Sequence, residues 1–96
     1  MAFTPAGALN YSNIAANGTT TVKSGAGLLH SITINTKGAS SNTATVYDNT
    51  SGSGTKIATI DTTAQVQTLL FDIAFTTGLT VVVATGTAGD LTVTYF

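Results

Sequence analysis

Apolar and polar residues alternate over most of the chain, with the period of two that is typical of strands with one buried face. The alternation is clearest in segment 28–36, which is followed by the turn-rich run KGASSN and then by segment 43–48. We predict that these two strands form a hairpin around which the rest of the domain is organised. Its first strand is expected to place Leu28, His30, Ile32 and Ile34 on one face and Leu29, Ser31, Thr33 and Asn35 on the other.

About eight such segments recur at intervals of roughly 8–12 residues, with turn-forming residues between them. They span residues 11–15, 19–23, 28–36, 43–48, 55–61, 67–75, 79–84 and 91–96. None has a helical period, so we predict an all-β fold, an antiparallel β-sandwich or jelly-roll-like barrel of about eight short strands. The spacing leaves the strand order open between a meander and a double Greek key.

Two of these segments have distinctive patterns. Segment 67–75, QTLLFDIAF, is the most hydrophobic alternating strand, and we expect it in the centre of a sheet. Segment 79–84, LTVVVA, is almost wholly apolar and β-branched, which is typical of a strand that is covered on both faces.

Charge is scarce along the whole chain. Seven of the 96 residues are charged, 21 are threonine, and glutamate and arginine are absent. The charged fraction of 7% is far below the ~25% of an average domain. Because such a surface lacks the charge that keeps monomers apart, we expect much of it to be buried against other proteins. Three scattered lysines and a net charge of −1 argue against nucleic acid as a partner. No apolar run approaches the ~20 residues of a membrane helix, which argues against a membrane as a partner.

The first ten residues, MAFTPAGALN, contain the single proline and have no periodicity. We therefore predict an N-terminal arm over residues 1–10 and a single β-domain over residues 11–96. The arm lacks the charged start and the long apolar run of a signal peptide. The chain has no cysteine, so it contains neither disulfides nor thiolate metal sites, and we expect it to be made in a cytoplasm.

Few residues are candidates for chemistry, and we predict no enzyme, no cofactor and no metal site. His30 would need a nucleophile and an orienting acid, but the adjacent serine is expected on the opposite face. The loop that begins at Asp48 lacks the ligands of an EF-hand, and Asx-turns are the expected role of acids and amides at strand ends. Asp72 interrupts an apolar strand, and we expect it either on an exposed outer face or paired with Lys23 or Lys56.

Four stretches resemble a small β-domain that recurs among the virion proteins of tailed bacteriophages. They are TTTVKSGAG, LLHSITINT with its histidine, ATVYDNTSGSGTKIATID and GLTVVVATGTAGDLTVTYF, and the resemblance covers nearly everything from Tyr11 onward. It implies a structural role as a head decoration, or cement, protein. The matching motifs are turn and strand patterns, so they carry over no catalytic or binding residue.

The resemblance also implies partners and a location. These are the major capsid protein, whose assembled shell would be bound from outside by non-covalent contacts, and other copies of the chain, as a trimer or alternatively a dimer. The protein would then lie on the capsid exterior of the virion. We expect contacts with these partners through Phe3, Pro5, Leu9 and Tyr11. The alternative is a receptor- or glycan-binding module of a tail or fibre, for which Tyr11, Tyr47 and Asn49 are the nearest candidates.

Overall fold

The structure is a computed structural model that describes residues 9–96, and these residues form eight β-strands. The strands are β1 (Asn10–Ile14), β2 (Gly18–Ser24), β3 (Gly27–Thr36), β4 (Thr43–Asp48), β5 (Thr55–Asp61), β6 (Gln67–Phe75), β7 (Gly78–Ala84) and β8 (Asp90–Tyr95). Each predicted strand is present, with its boundaries within one residue of the prediction. The all-β fold class is therefore confirmed.

The strands pair as a long hairpin that is folded over on itself. Antiparallel ladders join β1 to β8, β2 to β7, β3 to β6 and β4 to β5. Two further ladders, β3 with β8 and β4 with β7, assemble these pairs into two sheets. Sheet A has the order β1-β8-β3-β6, and sheet B has the order β2-β7-β4-β5. This is the strand order of a jelly roll, which is built from two Greek keys.

The predicted hairpin of segments 28–36 and 43–48 is wrong, because β3 lies in sheet A and β4 lies in sheet B. The connection 37–42 is longer than the roughly two to five residues of common hairpin loops. Its last residue, Asn42, is fully buried and donates side-chain hydrogen bonds to the carbonyl oxygens of Ala84 and Thr85. The connection therefore turns a corner between the two layers instead of reversing the chain within one sheet.

The hydrophobic core lies between the two sheets. Sheet A contributes Ile14, Leu29, Ile32, Ile34, Phe75, Leu91 and Val93, and sheet B contributes Ala44, Val46, Ile60, Leu79, Val81 and Val83. On the outer face of β7, Thr80 is fully buried, and Gly52 of the β4–β5 connection lies so close to Val82 that a β-carbon would approach it to 2.7 Å. The prediction that this strand is covered on both faces is confirmed.

A β-bulge changes which residues of β3 face the core. Relative to β8, β3 has one extra residue, His30, between Leu29 and Ser31. As a result Leu29 is fully buried, whereas Leu28 and His30 are half-buried on the outer side. The prediction that Leu28 and His30 share a face with Ile32 and Ile34 is therefore wrong, because the two isoleucines are buried in the core. A pattern of period two contains no sign of an inserted residue.

β6 lies at an edge of sheet A, so its predicted central position is wrong. The β3–β6 register is irregular next to His30, and Asp72 there adopts a left-handed backbone conformation with φ 51°. An edge that carries a bulge and a charge pairs poorly with a second copy of the same edge. Leu70 and Ile73 are exposed on this strand, so part of its hydrophobic sequence lies on the surface and not in the core.

Candidate interaction surface

The outer face of sheet A carries a ladder of hydroxyl and amide side chains. The hydroxyls of Ser31 and Thr94 are 2.5 Å apart, those of Thr33 and Thr68 are 3.0 Å apart, and Asn35 Nδ2 donates to Thr92 Oγ1 at 2.9 Å. The strand register brings these groups next to one another. None of the three lysines lies on a strand of sheet A. The face is therefore polar and largely uncharged, and its groups bond to one another.

His30 and Asp72 form the one contact between a basic and an acidic side chain found among residues 9–96, and they lie at the β3–β6 irregularity. Nδ1 of His30 is 2.5 Å from Oδ1 of Asp72, and the two side chains are 35% and 60% exposed. When the carboxylate is ionised it only accepts hydrogen bonds, so this contact then fits an imidazole that carries a proton on Nδ1. The expectation that Asp72 pairs with a lysine is therefore wrong, whereas its expected position on an exposed outer face is confirmed.

The His30–Asp72 pair supplies the orienting acid that a catalytic histidine requires. The adjacent hydroxyl of Ser31 bonds to Thr94 instead of to the imidazole. Within residues 9–96, Asp72 is the single side-chain hydrogen-bond partner of His30. In this arrangement the contact fixes the imidazole orientation, and no nucleophile is joined to it in the described part of the chain.

Two other carboxylates hold turns. Asp48, at the end of β4, accepts hydrogen bonds from the backbone N–H groups of residues 76–78. The N–H of Thr76 is the largest of the influences that lower the pKa of Asp48. The hydroxyl and then the backbone N–H of Thr63 lower the pKa of Asp61, in an Asx-turn of the predicted kind.

Exposed large apolar side chains are confined to sheet A and its strand ends within residues 9–96. They are Leu9 (40% exposed), Tyr11 (75%), Val66 (60%), Leu70 (69%), Ile73 (40%) and Phe96 (39%). Five of the six lie on, or directly before, β1 and β6, which are the two edge strands of this sheet. The edge strands of sheet B expose small or polar residues and a lysine instead. Exposed apolar patches are typical of surfaces that bind other proteins.

The predicted partner-binding residues fall partly within this surface. Leu9 and Tyr11 are exposed, whereas Phe3 and Pro5 lie outside the described residues. Pairing of Asn10 with Tyr95 places Leu9 next to Phe96, which is exposed as well. The chain therefore enters the fold at an end of sheet A that already presents two apolar side chains.

The predicted glycan-binding candidates do not meet. Tyr11 lies on β1 in sheet A, whereas Tyr47 and Asn49 lie at the end of β4 in sheet B. The side chain of Asn49 is hydrogen-bonded within its own loop, since it donates to the carbonyl oxygen of Ser53.

The part of the chain that the structure describes has neither a pocket nor a group of three metal-ligating acids, histidines or cysteines. Residues 9–96 also contain no helix that is long and apolar enough to cross a membrane.

The comparisons with known proteins found no family model, no curated protein and no solved structure that matches this chain.

Leu70, Ile73 and Phe96 are surface residues that were not predicted from the sequence. The exposure of Leu70 and Ile73 follows from strand order, because a strand with alternating apolar residues is buried in the centre of a sheet and partly exposed at its edge. Phe96 is exposed because it lies just beyond the end of β8. Asp72 within an apolar strand was the one available signal, since an acid at that position is typical of an edge.

Proposed function

We propose that this chain is a structural virion protein of a tailed bacteriophage, which binds the outside of the assembled capsid shell as a decoration, or cement, protein. The observation that carries the proposal is an exposed apolar end of sheet A, which we call the arm end. It consists of Leu9 and Phe96, and residues 1–8 precede it in the sequence. The resemblance of the strand and turn motifs to phage virion domains supports the same function.

The arm end is held by a network of backbone hydrogen bonds. The N–H of Gly25 donates to the carbonyl of Thr77 at 2.9 Å, which ties the β2–β3 turn to the β6–β7 turn. Phe96 donates to the carbonyl of Leu28 at 2.8 Å and accepts from its N–H at 3.3 Å. Asp48 secures the β6–β7 turn from the side of sheet B. A surface that is ordered before binding loses little conformational entropy when a partner covers it.

Residues 1–8, MAFTPAGA, have side chains that suit contact with an apolar surface on a partner. The segment contains Phe3 and Pro5 and no charged side chain. Fully extended, eight residues span about 26 Å, and in this proposal they lie across the boundary between two neighbouring capsid proteins. Contacts on both sides of such a boundary would tie the two capsid proteins together against the pressure of the packaged genome.

The low charge of the chain is consistent with dense display on a shell. Each copy has a formal net charge of −1 and few charged groups of either sign. Identical copies that are repeated at short distances would therefore repel one another weakly. A modest affinity for each site becomes effective in stabilising a shell when the contacts are repeated over its whole surface.

Co-sedimentation with stripped capsid shells of the phage that encodes the chain tests this function. The full chain is expected to bind until a fixed number of sites is filled. Deletion of residues 2–8, or Leu9→Ser, should weaken binding roughly tenfold or more, because each removes apolar contact area. Val66→Ser is the matched control, since Val66 is exposed and apolar but lies at the opposite end of sheet A. Failure of the full chain to bind shells, or undiminished binding after the deletion, would contradict the proposal.

A further inference from the structure

We propose that the two edge strands of sheet A bind each other between copies of the chain, so that β6 of one copy lies beside β1 of the next in a closed, head-to-tail ring. The partner at both edges is a second copy of the same chain. The inference rests on the proposed function for its setting, because it names the contact through which decorating copies would associate. Its geometry concerns the isolated chain and can be tested without a shell.

The register of sheet A places one exposed apolar residue at each end of a single row. Tyr11 lies opposite Thr94, Thr94 lies opposite Ser31, and Ser31 lies opposite Leu70. Tyr11 on β1 and Leu70 on β6 therefore lie on opposite edges at the same height, which here means the same position along the strand direction. Three strand spacings separate them within one chain, a distance of about 14 Å. The next row extends from Asn10 to Ile73, and β6 has two extra residues, Phe71 and Asp72, between these rows.

The strand directions allow the two edges to meet. Each neighbouring pair in sheet A is antiparallel, so β1 and β6, which are three strands apart, run in opposite directions. Rotation about an axis parallel to the strands changes neither the height nor the direction of a strand. It therefore brings β1 of the next copy antiparallel to β6, with Tyr11 level with Leu70. Directly opposed side chains on adjacent antiparallel strands are about 5 Å apart, and aromatic–aliphatic pairs at this distance are stabilising.

The charges favour this contact over pairing between two identical edges. β1 has the sequence NYSNI and no charged residue, whereas β6 carries Asp72 at its bulge. Two β6 strands side by side would bring two carboxylates and two irregular backbones together, which disfavours their association. Contacts between unlike surfaces close into a ring when a whole number of copies, each rotated by the same angle, completes a full turn. The arm ends of all copies would then lie at one end of the ring, where they could bind a shell together.

Cysteine cross-linking of the isolated chain tests the contact, because the natural sequence has no cysteine. Tyr11→Cys and Leu70→Cys alter the two most exposed of the large apolar residues. A mixture of the two single variants, assembled together and oxidised, is expected to give covalent dimers. Each variant alone should give none, because every contact then contains one thiol. The double variant should give covalent rings of the size that native mass spectrometry finds for the unmodified chain.

The controls separate this contact from other outcomes. A disulfide within one chain requires α-carbons less than about 7 Å apart, so the ~14 Å between positions 11 and 70 prevents it. Thr59→Cys, exposed on β5 of sheet B, should not cross-link to Tyr11→Cys. Circular dichroism and melting curves establish that each variant is folded. Cross-linking of either single variant with itself, a folded mixture without cross-links, or an unmodified chain that stays monomeric would each overturn the proposal. Because no shell is present, these results are independent of shell binding.

Discussion

The hydroxyl of Thr62 donates a 2.6 Å hydrogen bond to the side-chain oxygen of Asn42, and both side chains are fully buried. The amide nitrogen of Asn42 donates to Asn17 Oδ1 and to the carbonyl oxygens of Ala84 and Thr85. These bonds join four loops, those between β1 and β2, β3 and β4, β5 and β6, and β7 and β8. The four loops lie at the end of the sandwich opposite the arm end. Asn42 therefore secures the corner at which the chain passes from sheet A to sheet B.

Asn42→Ala is expected to lower the free energy of unfolding by about 2–3 kcal/mol, because it leaves buried donors and acceptors without partners. Urea denaturation measures the effect. Asn35→Ala is the matched control, since Asn35 is an exposed amide on the outer face of sheet A, and it should change the stability by about 0.5 kcal/mol or less. Equal losses for the two variants would contradict the role assigned to Asn42.

Asp48 is expected to make stability depend on acid pH. Its folded-state pKa is lowered, above all by the Thr76 N–H, from an ordinary value of 3.8. A lowered pKa means that the carboxylate stabilises the fold fully above the ordinary pKa, and that this contribution is lost as the pH falls through the folded-state pKa. Asp48→Asn should therefore melt below the natural chain at pH 7, and the difference should shrink below about pH 4. Melting curves from pH 7 to pH 2 measure this, and a pH-independent difference would refute it.

Gly27→Ala is expected to disturb the arm end. A β-carbon at Gly27 would collide with the carbonyl oxygen of Phe96 and would lie 2.7 Å from the ring of Phe75. Crowding of this kind costs about 1–3 kcal/mol, which urea denaturation can measure. Ala26→Ser, at the adjacent exposed turn position, should change the stability little. If both variants were as stable as the natural chain, the close approach at Gly27 would not constrain the fold.

Asp72 is expected to protect the edge of sheet A from uncontrolled association. Asp72→Val removes the carboxylate and places a β-branched residue at a positive φ, which favours a straightened strand that can pair with other edges. Size-exclusion chromatography with light scattering should then detect assemblies beyond any closed ring. Asp72→Asn, which tolerates the left-handed conformation, isolates the effect of the charge. An Asp72→Val variant that elutes like the natural chain would show that the bulge has no protective role.

The eight strands were predictable because each has its own local pattern of alternation and ends at turn-forming residues. The pairing of the strands was not predictable, because β3 joins β6 and β8 across long stretches of sequence and the connection to β4 changes sheet. The surface depends on that pairing. The contact between His30 and Asp72 and the exposure of Leu70 both require β6 to lie at the edge beside β3. Leu9 and Tyr11 were predicted to bind a partner because they lie in or next to an aperiodic segment, and the structure shows that both are exposed.

Cryo-electron microscopy of the native virion tests the central claim most directly. The account predicts jelly-roll density on the outer surface of the head, repeated with the symmetry of the shell, with the arm end directed towards the capsid proteins. Density for this chain in the tail alone, or a head surface that lacks it, would contradict the account.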